Sequence, residues 1–108
     1  MRGKRVSAQS KKVDLVVVSA RYTPEGWVHL VQAYQRYGAV WSDLVLLTRE
    51  ELLTRLQAGA RVATGRTLSL PGDYQIEDVI RWKRLNGIER LALQGQASDP
   101  EGLGVPLF

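Results

Sequence analysis

Leu47-Thr48-Arg49-Glu50-Glu51-Leu52-Leu53-Thr54-Arg55-Leu56-Gln57-Ala58-Gly59 carries a full set of helix start and stop signals, and it decides the fold. Thr48 is placed to accept from the backbone N–H of Glu51 while the Glu51 carboxylate accepts from the N–H of Thr48. This reciprocal capping box satisfies two of the donors that a helix start leaves over. Leu47 before the cap and Leu52 inside the helix are spaced for a hydrophobic staple. Glu50 and Glu51 complement the positive end of the helix dipole, Glu51 stands four residues before Arg55, and Gly59 provides the left-handed residue that ends the turn. The spacing predicts one short helix, about 49–58, that buries Leu52, Leu53 and Leu56 against a sheet.

The sheet is read from the chain on either side. Val13 to Tyr22 is rich in β-branched residues and apolar on both faces through Leu15, Val16, Val17 and Val18, which predicts a central strand. Thr23-Pro24-Glu25-Gly26 is a turn signal, and Trp27 to Tyr37 returns as the second arm of a hairpin. With Tyr22 opposite Trp27, one face carries Val16, Val18, Ala20 and Tyr22 beside Trp27, His29, Val31 and Ala33. Gly38 interrupts the pattern, and the apolar runs Ala39–Trp41 and Leu44–Leu47 form a third strand or a packed connection into the helix. Arg61 to Leu70 is a further strand, with Gly65 a bulge or a point of close approach.

Tyr74–Leu85 and Ile88–Leu93 are joined by Asn86-Gly87, a two-residue hairpin loop that fixes the register. Leu85 then faces Ile88, Arg84 faces Glu89, Lys83 faces Arg90, Trp82 faces Leu91 and Ile80 faces Leu93. Ile80, Trp82, Leu91 and Leu93 share the core side, and Arg81, Lys83 and Arg90 gather on the other.

Composition narrows the function classes. The 108 residues suffice for a single core, and 44% hydrophobic with 24% charged residues is ordinary for a globular chain. There is no cysteine for a disulfide, a thiol nucleophile or a thiolate metal site. The net charge of +4 is concentrated at the start, where Arg2, Lys4, Arg5, Lys11 and Lys12 occur without an acid. Ten of the 15 basic residues remain for the rest of the chain, against 11 acidic ones, so the body is close to neutral. No stretch approaches the roughly 18 apolar residues of a membrane span, and the apolar run at Leu15–Val18 is too short for a secretory signal. These features predict a soluble, cytoplasmic protein without membrane contact.

Candidate functional residues fall into three groups. Arg81, Lys83 and Arg90, with Arg5, Lys11 and Lys12 of the basic arm, are candidates for binding an anion or nucleic acid. Leu103, Val105, Leu107 and Phe108 give the chain's last residues an apolar character suited either to docking on the sheet or to meeting a partner. His29, the one histidine, lies among apolar neighbours with no acid placed beside it by local pairing, and a small enzyme using it would need the imidazole to face a solvent-filled pocket with an acid beside it. Phosphate-loop, dinucleotide-loop, nucleophile-elbow and zinc-helix motifs are all absent, and no cofactor, metal site or small-molecule ligand is expected.

The prediction is an α+β domain: a curved, mostly antiparallel sheet or small barrel of five to six strands with one short helix, burying Val16, Val18, Val31, Leu52, Leu56, Ile80, Trp82 and Leu91 together. Residues 1–12 form a flexible basic arm, 13–94 the domain, and 95–108 a Gly/Pro-rich tail docked on it. The expected function is a small non-enzymatic binding or protein-interaction module, homo-oligomeric or meeting a protein partner through a strand edge or the apolar tail. The alternative is a nucleic-acid-binding protein using the basic arm and the 74–93 hairpin.

Overall fold

The structure, a computed structural model, describes residues 13–70, 73–93 and 101–108. The basic arm at 1–12, the Pro71-Gly72 turn and the stretch 94–100 lie outside the described residues. Among the described residues seven strands and one helix follow in the order β1 (Leu15–Tyr22), β2 (Val28–Tyr37), β3 (Val40–Trp41), β4 (Val45–Thr48), α1 (Arg49–Gln57), β5 (Val62–Thr67), β6 (Tyr74–Leu85) and β7 (Ile88–Leu93). They form a curled, mostly antiparallel sheet of order β3-β2-β1-β5-β6-β7, with β4 also paired to β2. The expected α+β architecture is present, with the apolar runs at 40–41 and 45–48 each forming a short strand. Among the described residues no helix is long and apolar enough to cross a membrane.

The helix signals act as the sequence implies. Thr48 is extended at φ −77° and ψ 166°, its hydroxyl accepts from the Glu51 N–H, and Glu51 accepts from the Thr48 N–H at 2.8 Å. One residue thus ends β4 and starts α1, so the chain leaves the sheet without a loop. Because β1, β2 and β4 are successively antiparallel, β4 runs parallel to β1. The helix carries the chain over the sheet face to β5, which pairs with β1 in parallel from Leu15↔Val62 to Val17↔Thr64. Leu52 and Leu53 are buried in the main core, while Leu56 only borders it half-buried. At Gly65 a Cβ atom would lie 2.6 Å from the Gln75 carbonyl oxygen and 3.0 Å from Val16 Cγ1, so β5 needs glycine for close approach.

Two bulges overturn the expected register of the first hairpin. Val17 faces Ala33 and Ser19 faces Gln32, which leaves Val18 as an extra residue in β1; Tyr22 faces Val28 rather than Trp27, which leaves His29 extra in β2. The side-chain alternation therefore slips within β1. Leu15, Val17 and Ala20 point to the helix-covered core with Val28, Val31 and Ala33. Val16 instead joins Val13, Ala63 and Tyr74 in a second cluster, with Val18, Tyr34, Trp41 and Ile76 packed against it. Tyr74 is the hub of this cluster, its ring centroid 5.1 Å from that of Tyr34 and 4.9 Å from that of Trp41.

The last hairpin has the predicted register from Leu85↔Ile88 to Ile80↔Leu93. Asn86 and Gly87 both have positive φ, 53° and 80°, as a tight loop matched to strand twist requires. Ile80, Leu91 and Leu93 are in the main core. Trp82 is not: the residue is 36% exposed and lines a cleft beside the end of α1.

Candidate functional site

An edge strand presents a row of backbone N–H and C=O groups that must meet water, a side chain or another strand. Among the described residues β7 and β4 present such edges, and they are treated differently.

At β7 the edge is covered. Glu101, whose side chain is fully buried, lies between β7 and the start of β2. Its Oε1 accepts from the Val28 N–H at 2.8 Å and from Arg49 Nε at 3.1 Å. Its Oε2 accepts from the Leu91 N–H at 2.7 Å and from Arg49 Nη2 at 2.7 Å. Arg49 Nη2 also donates to the Glu89 carbonyl, and its hydrogen bond to Glu101 raises the guanidinium pKa further. One carboxylate and one guanidinium thus replace the ladder that would join β2 to β7. A buried carboxylate with four donors is a satisfied group rather than a reactive one. The guanidinium groups of Arg49 and Arg90 lie over the Trp27 ring, 5.0 and 4.7 Å from its centroid, and complete this seam.

Beyond Glu101 the chain stays against the body. Leu103 is fully buried and donates its N–H to the Tyr22 hydroxyl, and Val105 packs against the same core. The Pro106 carbonyl accepts from the Ala20 N–H, and the Phe108 N–H donates to the Ala20 carbonyl. Arg21 lies over the Phe108 ring at 4.6 Å, while Leu107 remains exposed. Of the four apolar residues singled out in the sequence, Leu103 is therefore core and Leu107 is surface.

At β4 the edge is bare. β4 pairs with β2 from Leu30↔Thr48 to Ala33↔Val45, and no described strand pairs with its other side. Leu44 and Leu46, two positions apart, are 43% and 57% exposed, and Tyr37 and Val40 near β3 are 59% and 63% exposed. From 37 to 48 the only charged residue is Asp43, with no Lys, Arg or Pro. The Ser42 N–H donates to the Gln35 carbonyl and its hydroxyl accepts from the Gln35 N–H, so the link between β3 and β4 is held to β2.

The remaining candidates are distributed as follows. Arg81 and Lys83 are exposed and, among the described residues, their side chains take part in no hydrogen bond or ion pair. Arg90, opposite Lys83, is half-buried against Trp27 and does not extend their row into solvent. The hydrogen bond from Arg84 holds the Glu89 carboxyl below its usual range. Arg5, Lys11 and Lys12 lie outside the described residues. Tyr34, Trp41 and Tyr74 pack on one another, away from Arg81 and Lys83. His29 is exposed at its bulge and borders a hollow of about 340 Å³ with Thr48 and Glu50; among the described residues no hydrogen bond orients its imidazole. A wider cleft of about 510 Å³ lies between the end of α1 and β5–β6, lined by Leu56, Ala60, Val62, Ile80, Arg81 and Trp82. No group of three His, Cys, Asp or Glu residues suited to a metal occurs among the described residues.

Sequence reading missed Glu101, which looks like a solvent-exposed acid in a polar, Gly- and Pro-containing stretch. The run from 37 to 48 offered a signal, since an apolar strand with one charge is unusual at a sheet edge. No protein family, curated protein or solved structure matches this chain.

Proposed function

We propose that this chain is a soluble, cytoplasmic, non-enzymatic interaction module that self-associates through β4. The observation that carries the reading is the bare edge of β4, flanked by Leu44 and Leu46 on one face in a run with a single charge. Two copies related by a two-fold axis would pair β4 with β4 in antiparallel fashion, so that each satisfies the other's unpaired backbone groups and covers the other's leucines. Asp43, just before the strand, is the one charge such pairing has to accommodate.

Size-exclusion chromatography with light scattering over a hundredfold concentration range tests this. The expected result is a reversible shift from monomer to dimer, lost in Leu46→Lys. A strict monomer at the highest concentration overturns the reading.

A second reading, nucleic-acid binding, draws on Arg81 and Lys83, two exposed cations without ion-pair partners among the described residues, together with the basic residues of 1–12. Titration with labelled single-stranded and duplex oligonucleotides across a salt series discriminates it. Binding that weakens with salt and with Arg81→Ala/Lys83→Ala supports it, and no binding at low salt removes it.

A further inference from the structure

We infer that the seam between β2 and β7 is a peptide-binding groove for a glutamate followed two positions later by a leucine, filled in cis by residues 101–108 and open to the same segment from a second copy. The groups that receive Glu101 all belong to the body of the domain: the Val28 N–H at the start of β2, the Leu91 N–H in β7 and the Arg49 guanidinium at the start of α1. Four donors from three separate elements converge on one carboxylate. A neutral side chain in that place would leave several of them without an acceptor, so the groove discriminates by charge as well as by shape.

The second point of recognition is apolar. Leu103 enters the main core and its backbone N–H meets the Tyr22 hydroxyl. The third is a strand addition: Pro106 and Phe108 exchange hydrogen bonds with both backbone groups of Ala20, and Leu107 forms a parallel bridge to it. That site on β1 is free because β5 pairs with β1 only as far as Val17. A buried charge, a buried leucine and main-chain pairing on a free strand edge are the elements of peptide recognition by β-augmentation.

None of these contacts depends on the covalent link from β7 to Glu101. The eight steps from Leu93 to Glu101 span at most about 27 Å when extended. Exchange of an identical segment between copies creates no new chemistry, only a new connectivity. The inference is independent of β4, although both routes lead to self-association, and its test is set in Leu46→Lys to remove the β4 route.

In that background, a labelled peptide of the sequence Glu101 to Phe108 is titrated into the full chain carrying Glu101→Ala/Leu103→Ala. Saturable one-to-one binding is expected, weakened about tenfold or more by glutamine at the first peptide position or by Arg49→Ala in the chain. Should the double variant fail to fold, Glu101→Gln, which keeps the shape and removes the charge, takes its place. Absence of saturable binding, or binding indifferent to the glutamate, overturns the groove. For exchange between copies, Glu101→Gln chains, with an intact groove, are mixed with Arg49→Ala chains, with an intact segment. A dimer in the mixture that neither variant forms alone is expected, and its absence overturns occupancy in trans.

Discussion

The two edges of this sheet pose the same physical problem and receive opposite treatments. Outward-facing backbone groups of β7 are taken up by side chains: the Glu89 carbonyl accepts from Arg49, and the Leu91 N–H donates to Glu101. Those of β4 face no described strand, and the leucines beside them are exposed. The first edge is closed by residues distant in sequence that spend a buried ion pair on it. Its closure makes the curled sheet one body, since the same carboxylate also holds the start of β2. The second has only its four-residue length and the sharp exit into α1 to limit pairing. One edge holds the fold, and the other is left available for a contact.

The largest expected effect comes from opening the closed edge. Glu101→Ala removes the acceptor for two strand N–H groups and strands the partly buried Arg49, and should cost about 3–5 kcal/mol of unfolding free energy in urea titration. Amide exchange should accelerate first at Val28 and Leu91. Unchanged protection there would mean that Glu101 does not close the seam.

The next effect lies under the bare edge, where Tyr74 supports β3 through Trp41. Burial, followed by the proximity of Tyr34, pushes the Tyr74 hydroxyl up to about 12. A tyrosine raised in the folded state keeps its proton there while the unfolded chain, titrating near 10, loses it. Stability from this residue is therefore fully present below about pH 10 and declines up to about pH 12, by about 2–3 kcal/mol. The difference in unfolding free energy between the wild type and Tyr74→Phe should change across that window and nowhere below it. A difference that stays flat from pH 9 to 12 removes Tyr74 as the titrating support of β3.

The contrast between the edges also marks what the sequence could disclose. Thr48 with Glu51, and Asn86 with Gly87, act through neighbours within three residues, so their geometry follows from local chemistry, and the helix start and the last hairpin's register were both legible. Val18 and His29 look like ordinary strand residues. Their bulges fall in a hairpin whose β1 pairs with β2 on one side and with β5 and the 106–108 segment on the other, tertiary pairings with no local mark. Val16 and Val18 lie outside the helix-covered core. Trp82 failed for a simpler reason: alternation gives the face of a strand but not where the opposing layer ends. As for the candidate sites, Arg81 and Lys83 lie in a stretch of the hairpin exposed on both faces, and the burial of Glu101 depends on donors 10, 52 and 73 residues away.

A smaller loss is expected at the junction where β4 becomes helix. Thr48→Ala keeps the strand but removes the acceptor for the Glu51 N–H, and should cost about 1 kcal/mol, within the usual 0.5–2 kcal/mol for an N-cap. Thermal unfolding measures it. A loss as large as that of Glu101→Ala would mean that the cap also positions Arg49 at the seam, which would couple the two edges.

The smallest effect on stability, and the most informative about the bare edge, is expected from Leu46→Lys. Leu46 lies opposite Gln32 on the outward side of β4 and is largely in solvent, so a lysine there gives up little burial and its ammonium stays hydrated. The unfolding free energy should move by no more than about 0.5 kcal/mol. Two copies paired through β4, in contrast, would bring two such ammonium groups together and lose a pair of apolar contacts, which is how native edge strands block pairing. A variant as stable as the wild type but monomeric at every concentration would assign self-association to β4. If it is equally stable and still dimeric, the bare edge is not the contact, and the 101–108 groove becomes the remaining route between copies.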